Sequence, residues 1–92
     1  MAKTFTMSVD NLSLHAVTVQ SVCRKVTIYE NDQAGTTDWI LAAPTANDAQ
    51  ITKPAGSKKE FERSPGVFWN PGDVVGYVKA VTGTITLAQE ED

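Results

Sequence analysis

Few side chains in this sequence could do chemistry, and the search starts with a single histidine. His15 stands near Asp10, Ser13 and Ser21. Residues two apart on a strand share a face, so a Ser–His–acid relay is conceivable there. Such triads are assembled from distant elements, however, and no Gly-x-Ser-x-Gly elbow is present to hold a nucleophile. His15 therefore reads as an ordinary strand or surface residue. Cys23 is the one cysteine, and Arg24 and Lys25 beside it could lower its pKa by stabilising a thiolate. Without a base partner or a second cysteine it reads as a half-buried strand residue. Glu60 and Glu62 share a strand face, whereas glycosidase carboxylates come from separate elements flanking a sugar cleft. Glu30, Asn31 and Asp32, with Gly35 and Asp38, offer oxygens that calcium could use. The same residue types are what a plain turn needs. Trp39, Trp69, Tyr29 and Tyr77 could make a platform for a sugar, but stacking needs exposed rings, and large aromatics in a small domain usually fill the core. Trp69, just ahead of Asn70-Pro71-Gly72, is the ring most expected at a surface or interface.

Composition narrows the field further. The chain has 92 residues, 41% hydrophobic and 21% charged, with a net charge of −3. That is a single domain, residues 1–92, of a size at which only about 60–65% of the unfolded surface is buried. One cysteine excludes an internal disulfide, and one histidine with scattered carboxylates makes a poor zinc set. Partner subunits are thus a candidate source of stability before any motif is read. The acidic balance argues against a phosphate-backbone binder, and the basic Lys58, Lys59 and Arg63 are interleaved with Glu60 and Glu62. The longest apolar run, Trp39 to Ala43, stops at Pro44, far short of the ~18 residues of a membrane span. The opening residues lack the ~7–15 apolar residues of a signal-peptide core, which with the unpaired Cys23 favours a reducing compartment.

The elements that must position these groups are strands. Phe5, Met7 and Val9 alternate with hydroxyl residues; residues 1–10 form either a first strand or an N-terminal arm. Asp10-Asn11 reads as a turn, and Leu12, Leu14 and Ala16 as a second stripe. The phase then shifts to Val17 and Val19, predicting a bulge or break near His15–Ala16. Val26 and Ile28 follow, then Trp39 to Ala42, then Ile51 to Lys53. Lys59 to Arg63 alternate around Phe61 as a charged edge strand. Ser64-Pro65-Gly66 and Asn70-Pro71-Gly72-Asp73 are turns. Val67-Phe68-Trp69, Val74 to Val81 and Ile85 to Ala88 complete the strands, the last two joined by a Thr82-Gly83 hairpin. Gln89-Glu90-Glu91-Asp92 is expected as a frayed tail rather than an arm. About seven or eight short antiparallel strands, with no helical stripe, predict an all-β fold: a small, jelly-roll-like β-sandwich.

Across residues 22–91 the order of these features is distinctive. Ile51-Thr52-Lys53-Pro54-Ala55-Gly56 precedes the charged strand around Phe61. Gly66-Val67-Phe68 follows, then Pro71-Gly72-Asp73-Val74-Val75-Gly76-Tyr77-Val78, a Thr-Gly turn and Thr86-Leu87-Ala88-Gln89-Glu90. This order resembles the small β-sandwich head decoration, or cement, proteins of tailed bacteriophages. A Pro-Gly-Asp turn before a Val-Gly strand also occurs in cupin-type jelly rolls, but metal-dependent cupins need clustered histidines and His15 is alone. The resemblance implies a structural, non-enzymatic homotrimer without cofactor or metal, assembled in the host cytoplasm. It would bind the outside of the assembled head, bridging subunits of the major capsid protein, with no nucleic-acid or membrane partner. Contacts are expected on the 31–38 loop, the 64–72 region and the N-terminal strand, at Phe5, Met7, Asp32, Thr36, Phe68, Trp69 and Asn70. The alternative is a small carbohydrate-binding module using Trp39 or Trp69. A third class, an oligomerising jelly-roll enzyme, has the least support.

Overall fold

The computed structural model describes residues 2–31, 37–42 and 50–92. Eight antiparallel strands lie in two four-stranded sheets: β1 (Lys3–Asp10), β2 (His15–Thr18), β3 (Lys25–Glu30), β4 (Trp39–Ala42), β5 (Gln50–Lys53), β6 (Lys58–Glu62), β7 (Val74–Ala80) and β8 (Thr84–Glu91). The first sheet has the order β1-β8-β3-β6 and the second β2-β7-β4-β5. Each strand of the first half pairs with its mirror in the second half, β1 with β8, β2 with β7, β3 with β6 and β4 with β5. The chain is thus a long ribbon folded back on itself and wrapped into a jelly-roll-like β-sandwich.

Alternation decides what enters the core. Val9, Val26, Ile28 and Leu87 face inward from the first sheet, and Val17, Trp39, Leu41, Val75 and Val78 from the second. Val17 pairs with Gly76 and Thr18 with Val74, so Val75 is an extra residue in β7. That bulge lets Val75 and Val78, three positions apart, both reach the core. The irregularity falls at Val17/Thr18, slightly later than expected. The Leu12, Leu14, Ala16 stripe does not form: Leu12 is 83% exposed and Ala16 exposed. The reason is local, since the Leu12 N–H donates to Asp10 Oδ1 at 3.0 Å and holds the chain in a turn until His15.

Both proline-glycine turns close as their residues require. Val67 N–H donates to Ser64 C=O at 2.9 Å and Asp73 N–H to Asn70 C=O at 3.0 Å. Gly66 and Gly72 supply the positive φ at the third position. Val67-Phe68-Trp69 is not a strand: only Trp69 makes a ladder contact, an isolated bridge to Cys23. Thr82-Gly83 is not a hairpin either. Residues 81–83 carry the chain from one sheet to the other, and β7 and β8 pair with different neighbours.

The largest departure from expectation is the C-terminus. Instead of fraying after Ala88, the chain continues as β8 to Glu91, between β1 and β3. Glu91 is 2% exposed. Its Oε2 accepts the Gln20 N–H at 2.7 Å, and its Oε1 accepts the Ser21 N–H at 2.8 Å and the Ser21 hydroxyl at 2.6 Å. Gln89 Nε2 also donates to it, and to the Thr18 C=O at 2.9 Å. A buried carboxylate is tolerated because every bond is charge-assisted. Glu91→Ala orphans two backbone donors and is expected to cost ~3 kcal/mol in urea unfolding, with Glu91→Gln losing less. Gly76 is buried in β7, and a Cβ there would stand 3.0 Å from the Ala42 carbonyl oxygen and 3.4 Å from Leu41 Cδ1. Gly76→Ala is accordingly expected to lower stability by ~1–3 kcal/mol by the same measurement.

Candidate functional site

Three of the carboxylates that looked capable of chemistry, those of Asp10, Glu30 and Asp38, turn out to be holding backbone. His15 Nε2 does meet Asp10 Oδ1, at 3.1 Å, on the surface. That hydrogen bond, with the Leu12 N–H, holds the Asp10 carboxyl below its ordinary value. No nucleophile completes the pair from Ser21, whose hydroxyl is committed to Glu91. Glu30 is buried, and its Oε1 accepts the Gly56 N–H at 3.0 Å. Asp38 Oδ1 accepts the Ala55 N–H at 2.9 Å. Two of the supposed calcium ligands therefore cap the Pro54–Ser57 turn, which also closes through Ser57 N–H to Pro54 C=O at 3.1 Å. Among the described residues no group of three or more His, Cys, Asp or Glu is placed to hold a metal. Asp32 and Thr36, expected at an interface, lie outside the described residues.

Cys23 is buried rather than half-exposed. Burial pushes its thiol above the ordinary 9.0, and the negative charges of Glu91 and Asp92 push it further. The activation suggested by Arg24 and Lys25 is thus reversed.

The tryptophans are enclosed, contrary to what a stacking platform requires. Trp39 is 0% exposed. Trp69 is buried, with its indole N–H donating to the Phe61 C=O at 3.1 Å and the Arg63 guanidinium 3.7 Å from the ring centroid. Its backbone exchanges hydrogen bonds with Cys23, at 2.7 and 3.2 Å. Trp69 is an anchor for the 63–73 segment, and neither ring offers a free face to a sugar.

Burying Trp69 turns its neighbour outward. Phe68 is exposed, and Val22, the neighbour of buried Cys23 in the segment bridged to Trp69, is 62% exposed. Both line a concavity of about 440 Å³, bordered by Arg24, Lys25, Glu62 and Asp92. Val67, also exposed, precedes Phe68 in the chain. Asn70 is exposed at the following turn, its N–H held by Asp73 Oδ2 at 2.9 Å. Val22 was missed in the sequence; its only signal is that alternation from a buried Cys23 sends position 22 outward.

Phe5 and Met7 lie elsewhere, on the inward face of β1, which is one of the two edges of the first sheet. With Thr6, Ala16, Thr18, Gln20 and Gln89 they line a groove of about 320 Å³ between that edge and β2. A third concavity, about 420 Å³, lies on the outer face of the first sheet around Thr27 and Tyr29. It is lined by Lys25, Lys58, Glu60 and Glu90, so its charges are mixed, and Lys58 Nζ stands 3.8 Å from Glu60 Oε1.

Comparison with protein-family models, characterised proteins and solved structures finds no match to this chain. The Cys23 thiol provides a direct check on the site's electrostatics. Its folded pKa is raised, so its stabilising share is complete below pH 9 and is lost as pH rises through the folded value. Wild type is expected to lose more stability than Cys23→Ala above pH 9, and the native thiol should resist alkylation until the chain unfolds.

Proposed function

We propose that this protein is a structural, non-enzymatic decoration protein of a tailed-bacteriophage head. It binds the outside of the assembled shell, contacts the major capsid protein and bridges its subunits as a homo-oligomer. The resemblance across residues 22–91 suggests the role, and the Val22–Phe68 concavity is the observation that carries it. Two large apolar side chains stand in solvent, ringed by Arg24, Lys25, Glu62 and Asp92. An apolar centre with a rim of both charge signs is the anatomy of a protein–protein contact. The support beneath it is stiff. Trp69 is pinned by three hydrogen bonds and a stacked arginine, and the Asn70–Asp73 turn is tied to Val19 at 2.8 and 2.9 Å. A surface presented on such a base loses little conformational entropy on docking.

Docking adds a second benefit by mass action, since a partner that binds only the folded chain stabilises it. For a small domain without a disulfide, that gain is large relative to its own stability. The aromatic-platform alternative loses its basis with the burial of Trp39 and Trp69.

Heads assembled from the major capsid protein of the same genome provide the test. The chain is expected to co-sediment with them at fixed stoichiometry and to raise their melting temperature. Phe68→Asp combined with Val22→Asp should abolish co-sedimentation while leaving the chain's own unfolding midpoint nearly unchanged. A chain that never enters the head fraction, or a coding gene remote from any capsid gene, overturns the proposal.

A further inference from the structure

The two edges of the first sheet are built in opposite ways. β6 carries Lys58, Lys59, Glu60 and Glu62 in five residues, a composition that discourages another strand from adding. β1 carries no charge between Lys3 and Asp10 and no proline, and its ladder with β8 runs through all eight residues without a register shift. The second sheet's edges, β2 and β5, are four residues each. Among the described strands β1 is therefore the long, regular, uncharged edge, with one backbone row free to pair.

We propose that β1 is the surface through which two copies of this chain associate, antiparallel and about a twofold axis, joining their first sheets into one continuous sheet. The segment Thr4-Phe5-Thr6-Met7-Ser8 has the same pattern read in either direction, with hydroxyls on the outer face and apolar side chains on the inner. Opposed residues of an antiparallel ladder share a face, so the axis must pass through a residue. Centred on Thr6, the pairing sets Thr6 against its own copy and Thr4 against Ser8. It also sets each Phe5 against Met7 of the second copy, a sulfur–aromatic contact made twice.

Charge selects the same arrangement. Antiparallel addition brings the Lys3 end of each strand to the Asp10 end of the other, and no like charges are opposed. The groove behind β1 supplies the space, about 320 Å³ beside Phe5 and Met7, where the second copy's apolar side chains arrive. Phe5, exposed in the isolated chain, is the residue this pairing covers. Strand addition of this kind gains affinity from main-chain hydrogen bonds, and an isologous interface closes at two subunits.

This association uses a different surface from the Val22–Phe68 concavity, and it makes the homo-oligomer of the proposed function a pair rather than the trimer that the cement-protein resemblance implies. Sedimentation of the full chain over a dilution series is expected to show a species of twice 9.9 kDa that dissociates to one chain. Thr6→Lys places two cations at the axis, on an exposed outer position, and should yield a folded species of half the wild-type mass. Thr52→Lys, the same charge change on β5, should leave the pair intact. In the wild type, amide exchange over residues 4–8 should slow as concentration rises, a readout that needs no variant. A monomer at every concentration, a trimer, a Thr6→Lys protein that still pairs, or β1 amides indifferent to concentration would each overturn the proposal. Failure to bind heads would leave these results untouched.

Discussion

The carboxylate of Glu91, sealed inside the sandwich one residue from the end of the chain, is the contact on which the rest of the architecture leans. It sits on β8, the strand to which both β1 and β3 are zipped. It receives donors from Gln20 and Ser21, in the segment that crosses from β2 of one sheet to β3 of the other. A buried charge would be expelled or neutralised if left alone, and here it is answered by two backbone amides, a hydroxyl and the Gln89 amide. The clamp joins residues about seventy positions apart in the chain. That is the kind of closure a disulfide supplies in other small domains, and this one has only Cys23.

Around that clamp, side chains with chemical potential are used to finish backbone hydrogen bonding. Glu30 and Asp38 cap one turn, Asp73 another, and Asp10 a third. In a domain of short strands and many turns, backbone N–H groups outnumber the ladder positions that can satisfy them. Acidic side chains are the nearest acceptors. The same need explains Trp69, whose ring is buried and whose indole N–H is answered by Phe61. Holding Trp69 inward leaves Phe68 outward, so the interface proposed for docking is a consequence of core anchoring one residue away.

The two sandwich edges then acquire different meanings. On one side, β6 displays charge at nearly every position and closes the sheet to further addition. On the other, β1 keeps a backbone row unpaired among the described residues, with a groove of mixed polar and apolar lining behind it. The docking role proposed above calls for surfaces that accept a neighbour and others that do not. The contrast between β6 and β1, together with the charged rim of the Val22–Phe68 concavity, supplies that distinction.

Much of this was legible in the residues themselves. Period-two alternation placed Val9, Val26 and Ile28 inside, and Pro-Gly pairs marked the turns at 65–66 and 71–72, because both signals are local. The charged β6 edge was legible for the same reason. Alternation sorts side chains between two faces, but it does not say which strands lie side by side or what covers a face. Thr82-Gly83 therefore read as a hairpin although it crosses between sheets, and Leu12 read as core although an Asp10 turn puts it in solvent. Gln89–Glu91 read as a tail because charged residues rarely enter a core, and only the donors converging from Gln20 and Ser21 reverse that rule. Of the features that could do work, the sequence determined the strand chemistry and the pattern of β1. Tertiary structure alone decided that Trp39 and Trp69 are enclosed, that Val22 meets Phe68, and that β1 is the edge left free. Those outcomes depend on layers brought together from distant parts of the chain.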